Sequence, residues 1–217
     1  MRPISMIYLN FALLRRYWRY AVPVGNRIGR VEAIKGRRAY RSLDPIEITD
    51  GLVRDLAEAA RLAPSCFNNQ PWRFVFVYDP EALEGVRRAL SRGNEWAKSA
   101  SMIVAVVSKR DYDCMIKGRD YYLFDTGMAT AFLILRATEL GLVAHPIAGY
   151  DEEAVKGALG IPADMTAITL VVIGRRSGAL SPLLSEKQVE AEGRRPERLP
   201  LEEFASMNRF SGRGCTG

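Results

Sequence analysis

Residues 64–72 form the most chemically specific stretch of the chain and read Pro-Ser-Cys-Phe-Asn-Asn-Gln-Pro-Trp. A hydroxyl, a thiol and three side-chain amides follow one another closely here. Each amide carries a donor beside an acceptor, which suits the edge of a planar heterocycle on which carbonyl and N–H groups alternate. Taken alone, the stretch has a simpler interpretation as an amide-stabilised loop that ends in a core Trp.

Three arginines, Arg37, Arg38 and Arg41, make a second candidate site. A planar guanidinium can hold phosphate oxygens in two places at once, so such a cluster could surround a monophosphate. The alternative is a solvated basic turn. The sequence contains no convincing dinucleotide-binding fingerprint, which favours a terminal monophosphate over a dinucleotide as the ligand.

Regular elements must position these groups. Residues 49–63 place their apolar side chains on one helical face, with Thr49 as N-cap and Pro64 as the stop. Residues 72–78 are rich in aromatic and β-branched side chains, which predicts a strand. Further helices are predicted at 31–36, 80–91, 120–140 and from the Asp151 cap to Gly160, strands at 101–107 and 167–174, and a strand running into a turn at 142–151. Residues 111–119 are predicted to be a mobile loop.

Residues 63–72 fit the pattern A-P-S-x-x-N-x-Q-P-W, which resembles the signature of the FMN-dependent nitroreductase family. The run R-R-A-Y-R at 37–41 resembles that family's phosphate motif, although Ala39 replaces the usual Ser. Similarity continues through residues 145–151 and 195–201 and covers most of the chain from about residue 32 onward.

The resemblance implies an α+β fold with a mixed, mostly antiparallel sheet wrapped by helices, in an intertwined homodimer with FMN in each interface. It also implies a ping-pong oxidoreductase that takes electrons from NAD(P)H and passes them to a nitroaromatic, quinone or similar small-molecule acceptor. The flavin would carry the chemistry, so no catalytic residue is assigned with certainty. Dehalogenation and flavin cleavage are alternatives within the same superfamily. A flavin-free module that binds polyanions or membranes is an alternative from another class.

The residues that the resemblance assigns to the cofactor come from four segments. They are Arg37, Arg38, Arg41, Pro64, Ser65, Cys66, Asn68, Gln70, Pro146, Ile147, Ala148, Gly149, Arg195 and Arg198. In the family, the segment at 146–149 sets backbone N–H groups against the flavin, and Gly149 would permit a close approach. No metal site is predicted.

Composition predicts a globular protein, because 48% of the 217 residues are hydrophobic. The net charge of +6 is uneven: residues 1–41 carry ten basic side chains and one acid, 10 − 1 = +9, which leaves 6 − 9 = −3 for the rest. Residues 1–30 are therefore interpreted as a basic, apolar helical extension, residues 31–210 as the FMN-binding domain, and residues 211–217 as a disordered tail. The extension is expected to pack on the dimer partner. Membrane association through residues 1–24 is the less favoured alternative, and no nucleic-acid partner is expected.

The three cysteines, Cys66, Cys114 and Cys215, lie far apart and show no C-x-x-C spacing. This spacing predicts neither a disulfide nor a zinc site and fits a reducing cytoplasm. Cys66 is interpreted as a small packed thiol. The sole histidine, His145, is interpreted as a packed or surface residue in preference to a general acid.

Overall fold

The computed structural model describes residues 30–210. The predicted tail at 211–217 and the predicted N-terminal extension lie outside this range, except that Arg30 begins the first helix. Within the described range, no helix is both long enough and apolar enough to cross a membrane.

The helices occur in the predicted order, with two additions near the C-terminus. They are α1 (Arg30–Gly36), α2 (Asp50–Arg61), α3 (Pro80–Arg88), α4 (Tyr122–Glu139), α5 (Glu152–Leu159), α6 (Glu186–Gly193) and α7 (Leu201–Phe204); α6 and α7 are the additions. Short 3₁₀ turns form at Cys66–Asn68, Glu95–Ser99 and Arg110–Tyr112. The segment from 186 to 198 thus begins with a two-turn helix.

The strands are β1 (Leu43–Asp44), β2 (Arg73–Val77), β3 (Met102–Ser108), β4 (Met115–Ile116), β5 (Arg119–Asp120), β6 (Val143–Ile147) and β7 (Thr166–Arg176). Strands β4 and β5 form a separate small hairpin, so the predicted loop at 111–119 contains regular structure. In the main sheet, β7 is central and pairs with β3 on one side and β6 on the other. β2 pairs with β3 at one edge, and β1 pairs with the C-terminal end of β7. Every strand pair among the described residues is antiparallel.

Helices cover both faces of this sheet because its buried side chains alternate between two cores. Ile103, Ala105 and Val107 pack toward α3 and α5, whereas Met102, Val104 and Val106 pack toward α2 and α4. All residues of β3 are buried, as its uninterrupted apolar sequence predicted.

Helix ends follow the predicted local chemistry. The Thr49 hydroxyl accepts a hydrogen bond from the N–H of Leu52, and the Asp151 carboxylate accepts one from Ala154. Gly160 ends α5 in the left-handed conformation, and Gly141 takes the same conformation just after α4. At the C-terminal end of α2, the N–H of Leu62 donates to the carbonyl of Ala59, just before residues 64–72 begin.

Candidate functional site

The predicted arginines from both ends of the chain meet in one place, which we call the arginine corner: Arg37, Arg38, Arg41, Arg195 and Arg198. The Arg195 guanidinium donates to the carbonyls of Lys35, at 2.5 Å, and Arg37, at 2.8 Å. The Arg38 guanidinium donates to the Ala191 carbonyl at 2.9 Å. These two side chains therefore join the N-terminal arginine segment to the chain around α6.

A buried carboxylate completes this connection. Glu192 accepts hydrogen bonds from the backbone N–H groups of Arg41, at 2.7 Å, and Ser42, at 3.4 Å. It is only 6% exposed. Because its oxygens are directed to backbone donors, Glu192 fixes the turn before β1 and does not ion-pair with a guanidinium.

The arginine corner is an unbalanced positive site. Within residues 30–210, none of its five guanidinium groups lies within ion-pair distance of a carboxylate. Burial lowers the pKa of Arg37, and the charges of Arg195, Arg198 and Arg38 lower it further. An anion placed among these groups would relieve their mutual repulsion.

His145 lies buried next to the arginine corner and contacts its backbone. It stacks on Trp96 with ring centroids 4.7 Å apart and places Nδ1 3.1 Å from the Tyr40 carbonyl oxygen. Burial lowers its pKa to about 4, and the charges of Arg41 and Arg37 act in the same direction, against the opposing effect of the Tyr40 carbonyl. A neutral imidazole that donates from Nδ1 to this carbonyl fits these contacts. The prediction of a packed histidine agrees with this position.

Residues 64–70 form the second site, which we call the amide corner. Phe67, Asn68 and Gln70 have φ angles of 47°, 58° and 49°. The left-handed conformation costs an ordinary residue about 1–2 kcal/mol, so three such residues must be held by their surroundings. The Ser65 hydroxyl accepts from the N–H of Gln70 at 3.0 Å, and the Gln70 amide donates to the Asn68 carbonyl. The Asn68 side chain itself is exposed.

The prediction that Cys66 is a packed thiol, in a chain without disulfides, is wrong. Cys66 and Cys114 form a disulfide, with Cα atoms 6.1 Å apart. The physical reason is the strand pairing: Cys66 precedes β2, Cys114 follows β3, and these neighbouring antiparallel strands bring the two segments to the same end of the sheet. Sequence spacing could not reveal this, because the cysteines are 48 residues apart.

Two carboxyl groups hold this disulfide. Asp125, 1% exposed at the start of α4, accepts from the N–H of Cys66 at 2.6 Å. Asp113 accepts from the N–H of Cys114 at 2.8 Å. Burial raises the pKa of Asp125, the Cys66 N–H opposes this, and a hydrogen bond with Asp113 raises it further.

The segment at 146–149 lies just beyond His145. Ile147 is buried in the sheet, whereas Pro146 and Ala148 are exposed. A Cβ atom added to Gly149 would lie 2.5 Å from Nδ2 of Asn94, which donates to the Gly149 carbonyl at 2.9 Å. The close approach that requires glycine here is therefore made by Asn94 of the same chain.

The arginine corner and the amide corner do not meet within one protomer. The arginine segment enters β1, which pairs with the C-terminal end of β7, whereas residues 64–72 enter β2 at the opposite edge. The first residue of β2, Arg73, pairs with Val107 of β3, and Val107 pairs with Ala167, at the N-terminal end of β7. Helix α4 begins at Tyr122, near the amide corner, and contacts β6; its 18 residues span about 27 Å. The two predicted sets thus occupy diagonally opposite corners.

Comparison with known proteins shows which family the chain belongs to. Residues 34–175 match the model of the nitroreductase family. The chain belongs to the nitroreductase family.

Individual relatives agree with this family assignment. The chain is 26% identical over 212 residues to YdgI of Bacillus subtilis, which is named as an NAD(P)H nitroreductase; the match covers 81% of this chain and 95% of YdgI. It is 30% identical over 152 residues to an Archaeoglobus fulgidus protein named as an NADH dehydrogenase or NAD(P)H nitroreductase, covering 66% and 83% of the two chains. The crystal structure of an oxidoreductase containing FMN matches with a TM-score of 0.72 and 27% identity, over 88% of this chain and 96% of that one. The predicted family, α+β fold and oxidoreductase class are confirmed.

Sequence reasoning missed three carboxylates in this nitroreductase. Glu192, Asp113 and Asp125 each bind backbone N–H groups that are distant in sequence or lie beside a half-cystine. In a sequence, a single acidic residue within a charged segment does not indicate that it accepts hydrogen bonds from backbone N–H groups. The only available hint was Asp125, an ionisable residue within the otherwise apolar start of α4.

Proposed function

We propose that this protein is an FMN-dependent oxidoreductase that accepts electrons from NAD(P)H and passes two of them to a nitroaromatic, quinone or similar acceptor by a ping-pong mechanism. The observation that carries the proposal is the arginine corner, where five guanidinium groups converge with no carboxylate partner in the described part of the chain. When bound, FMN would supply the hydride acceptor and donor, so the protein needs no acid/base pair.

Within this site the arginines would have different roles. Arg38 and Arg195 already donate to backbone carbonyls, so they would position the corner. The Arg41 guanidinium makes only a long contact, 3.4 Å, with the Ala39 carbonyl. Arg37, Arg41 and Arg198 would therefore hold the FMN phosphate, since guanidinium groups bind phosphate oxygens through short, charge-assisted hydrogen bonds. His145, neutral and buried beneath them, would hold the Tyr40 carbonyl without adding charge.

The separation of the two corners leads us to propose a homodimer. Because the two corners lie at opposite edges and opposite ends of the sheet, one FMN would not contact both within a single protomer. We therefore propose that the amide corner of one protomer closes the pocket formed by the arginine corner of its partner, with Asn68 directed to the flavin edge. The exposed apolar side chains of α4 and of the C-terminal segment support such an interface. They are Leu123, Phe124, Phe132, Leu199, Leu201, Phe204, Met207 and Phe210.

Flavin content tests the cofactor assignment directly. The purified protein is denatured, and the released flavin is identified by chromatography. We expect FMN; FAD, or no flavin after reconstitution with FMN, would overturn the proposal. A colourless protein with strongly salt-dependent binding to nucleic acid or liposomes would favour the binding-module alternative.

Anaerobic stopped-flow mixing tests the reaction. We expect NADH or NADPH to reduce the bound flavin, and a nitroaromatic or quinone to reoxidise it in a separate step. Asn68→Ala should slow the reduction or shift the flavin potential, whereas His145→Ala should stay within about tenfold of the parent rate, because the proposed mechanism uses no proton from it. Failure of both nicotinamides to reduce the flavin would favour dehalogenation or flavin cleavage.

The dimer is tested by light scattering on the flavin-bound protein. A monomer at micromolar concentration with FMN still bound would contradict the shared site. A mixture of Arg37→Ala and Asn68→Ala protomers provides a sharper test, since only a shared site leaves one intact pocket in each mixed dimer.

A further inference from the structure

We propose that Cys66–Cys114 is a redox-active disulfide that a dithiol reductant opens in the folded protein, with Cys114 as the leaving sulfur, and that its opening weakens the hold on the amide corner. The link to FMN affinity rests on the function proposed above. The opening chemistry does not.

The surroundings of the two sulfur atoms differ. The Asn69 side-chain amide donates to Sγ of Cys114, at 3.4 Å, and to Oδ1 of Asp113, at 3.2 Å. No described side chain donates to Sγ of Cys66. A sulfur that receives a hydrogen bond is the better leaving thiolate, because the donor stabilises its developing charge. The incoming thiolate therefore attacks Cys66.

A carboxylate lies beside the leaving sulfur. A carboxylate oxygen of Asp113 and both sulfur atoms lie within 4.8 Å of one another. One oxygen of Asp113 is buried without a hydrogen-bond partner among the described residues. Oδ1 of Asp113 accepts from the Asn69 amide, at 3.2 Å, and from the N–H of Cys114, at 2.8 Å, so Asp113 positions the amide that donates to the leaving sulfur.

The reaction balances without a further reactant. A thiolate of the reductant forms a bond to Sγ of Cys66, the disulfide bond breaks, and its electron pair goes to Sγ of Cys114, which takes up a proton. The second thiol of the reductant then displaces Cys66. The products are two cysteine thiols and the reductant's disulfide, and the protein has gained two electrons and two protons.

Opening the bond affects the strained turn directly. Phe67, Asn68 and Gln70 all have positive φ, and the Cys66–Cys114 bond is the covalent tie between their turn and the segment before β4. The oxidised protein therefore presents Asn68 and Gln70 in one position. We expect the reduced protein to bind FMN several-fold more weakly.

The experiment uses full-length protein with Cys215→Ser, so that only Cys66 and Cys114 report. Thiols are counted by alkylation and mass spectrometry across a series of reduced to oxidised dithiothreitol ratios, while circular dichroism monitors the fold. We expect two thiols to appear together in the folded protein and to disappear again on oxidation. Thiols that never pair would overturn the proposal, as would a disulfide that opens only on unfolding.

Two variants test the mechanism of opening. Asn69→Ala should slow opening roughly tenfold, because a hydrogen bond to the leaving thiolate is lost. Asn208→Gly is the matched control: it removes an exposed amide that contacts neither sulfur, and glycine tolerates its φ of 62°. Asp113→Asn should also slow opening, because it alters the acceptor that positions the Asn69 amide beside Sγ of Cys114. Unchanged opening in both Asn69→Ala and Asp113→Asn would overturn the assigned roles.

FMN affinity separates this inference from the proposed function. Fluorescence quenching gives the Kd for the oxidised protein, the reduced protein and the Cys66→Ser/Cys114→Ser double variant. We expect the last two to agree with each other and to be several-fold weaker than the first. Equal affinity in all three would overturn the coupling, whereas no FMN binding in any form would refute the proposed function and leave the thiol result intact.

Discussion

The arginine corner concentrates charge on relaxed backbone, whereas the amide corner concentrates backbone strain beside paired polar groups. The positive-φ residues of residues 64–70 have no counterpart at 37–42 or 191–198. At the arginine corner, by contrast, five guanidinium groups lie together, and among residues 30–210 none has a carboxylate within ion-pair distance. An anion would complete the arginine corner, whereas the amide corner needs internal hydrogen bonds and its disulfide to keep its shape. From this difference we expect the arginine corner to supply affinity for phosphate and the amide corner to position the flavin ring.

The largest expected effect comes from removing the carboxylate beneath the arginine corner. Glu192→Ala would leave the N–H groups of Arg41 and Ser42 without their acceptor, and each unsatisfied buried donor costs about 1–3 kcal/mol. We expect a loss of about 4 kcal/mol in the free energy of unfolding, measured by urea denaturation without FMN. Exposed Glu190→Ala is the matched control and should change stability little. An equal, small effect of both variants would mean that the corner does not depend on this connection.

The next effect concerns acid stability. The pKa of His145 is about 4 in the folded protein and 6.5 ordinarily, so between these values the unfolded chain binds more protons. Stability should therefore fall by about 3 kcal/mol as the pH falls from 6.5 to 4, and this contribution is fully present above 6.5. His145 is the only histidine in the sequence, so His145→Gln should remove this part of the pH dependence. Parallel stability curves for the two proteins would contradict the buried neutral imidazole.

The sequence was sufficient where the relevant information lies within a few residues. The caps at Thr49 and Asp151, the apolar strand β3 and the arginine run all follow from local composition and spacing. The cofactor segments came from a resemblance, which can identify motifs but not their arrangement within one protomer. That arrangement depends on the strand order, which places β1 and β2 at different edges.

The remaining features depend on long-range contacts. Glu192 reaches N–H groups 151 and 150 residues away in the sequence, and Cys66 bonds to a cysteine 48 residues away. Neither pair can be selected from spacing, because many acids and both other cysteines would have fitted equally well. Gly149 is a further case. A close approach of the flavin was predicted there, whereas in the structure the group close to Gly149 is the Asn94 side chain.

A third prediction distinguishes the two corners by comparing the binding of FMN with that of riboflavin. Arg37→Ala should weaken FMN binding by about 2 kcal/mol, since it removes hydrogen bonds to a charged group, and should leave riboflavin binding unchanged because riboflavin has no phosphate. Asn68→Ala should weaken both flavins equally. Exposed Arg61→Ala, which removes only an ion pair with Glu58, is the control for net charge. Fluorescence titration with each flavin gives the result, and equal losses for both flavins in Arg37→Ala would remove the distinction between the corners.

The smallest expected effect tests the strain at the amide corner itself. Phe67 has a φ of 47° and is 86% exposed, so its side chain contributes little packing while its backbone adopts a costly conformation. Glycine removes the left-handed cost of about 1–2 kcal/mol but adds unfolded-state entropy of about 0.5–1 kcal/mol. Phe67→Gly should therefore raise the free energy of unfolding by about 0.5–1 kcal/mol in the absence of FMN. Phe210→Gly is the control, because Phe210 is equally exposed but has no positive φ. It should give no gain. If Phe67→Gly destabilises the protein instead, Phe67 packs against a surface outside its own protomer, and the amide corner is held by the partner more than by its internal ties.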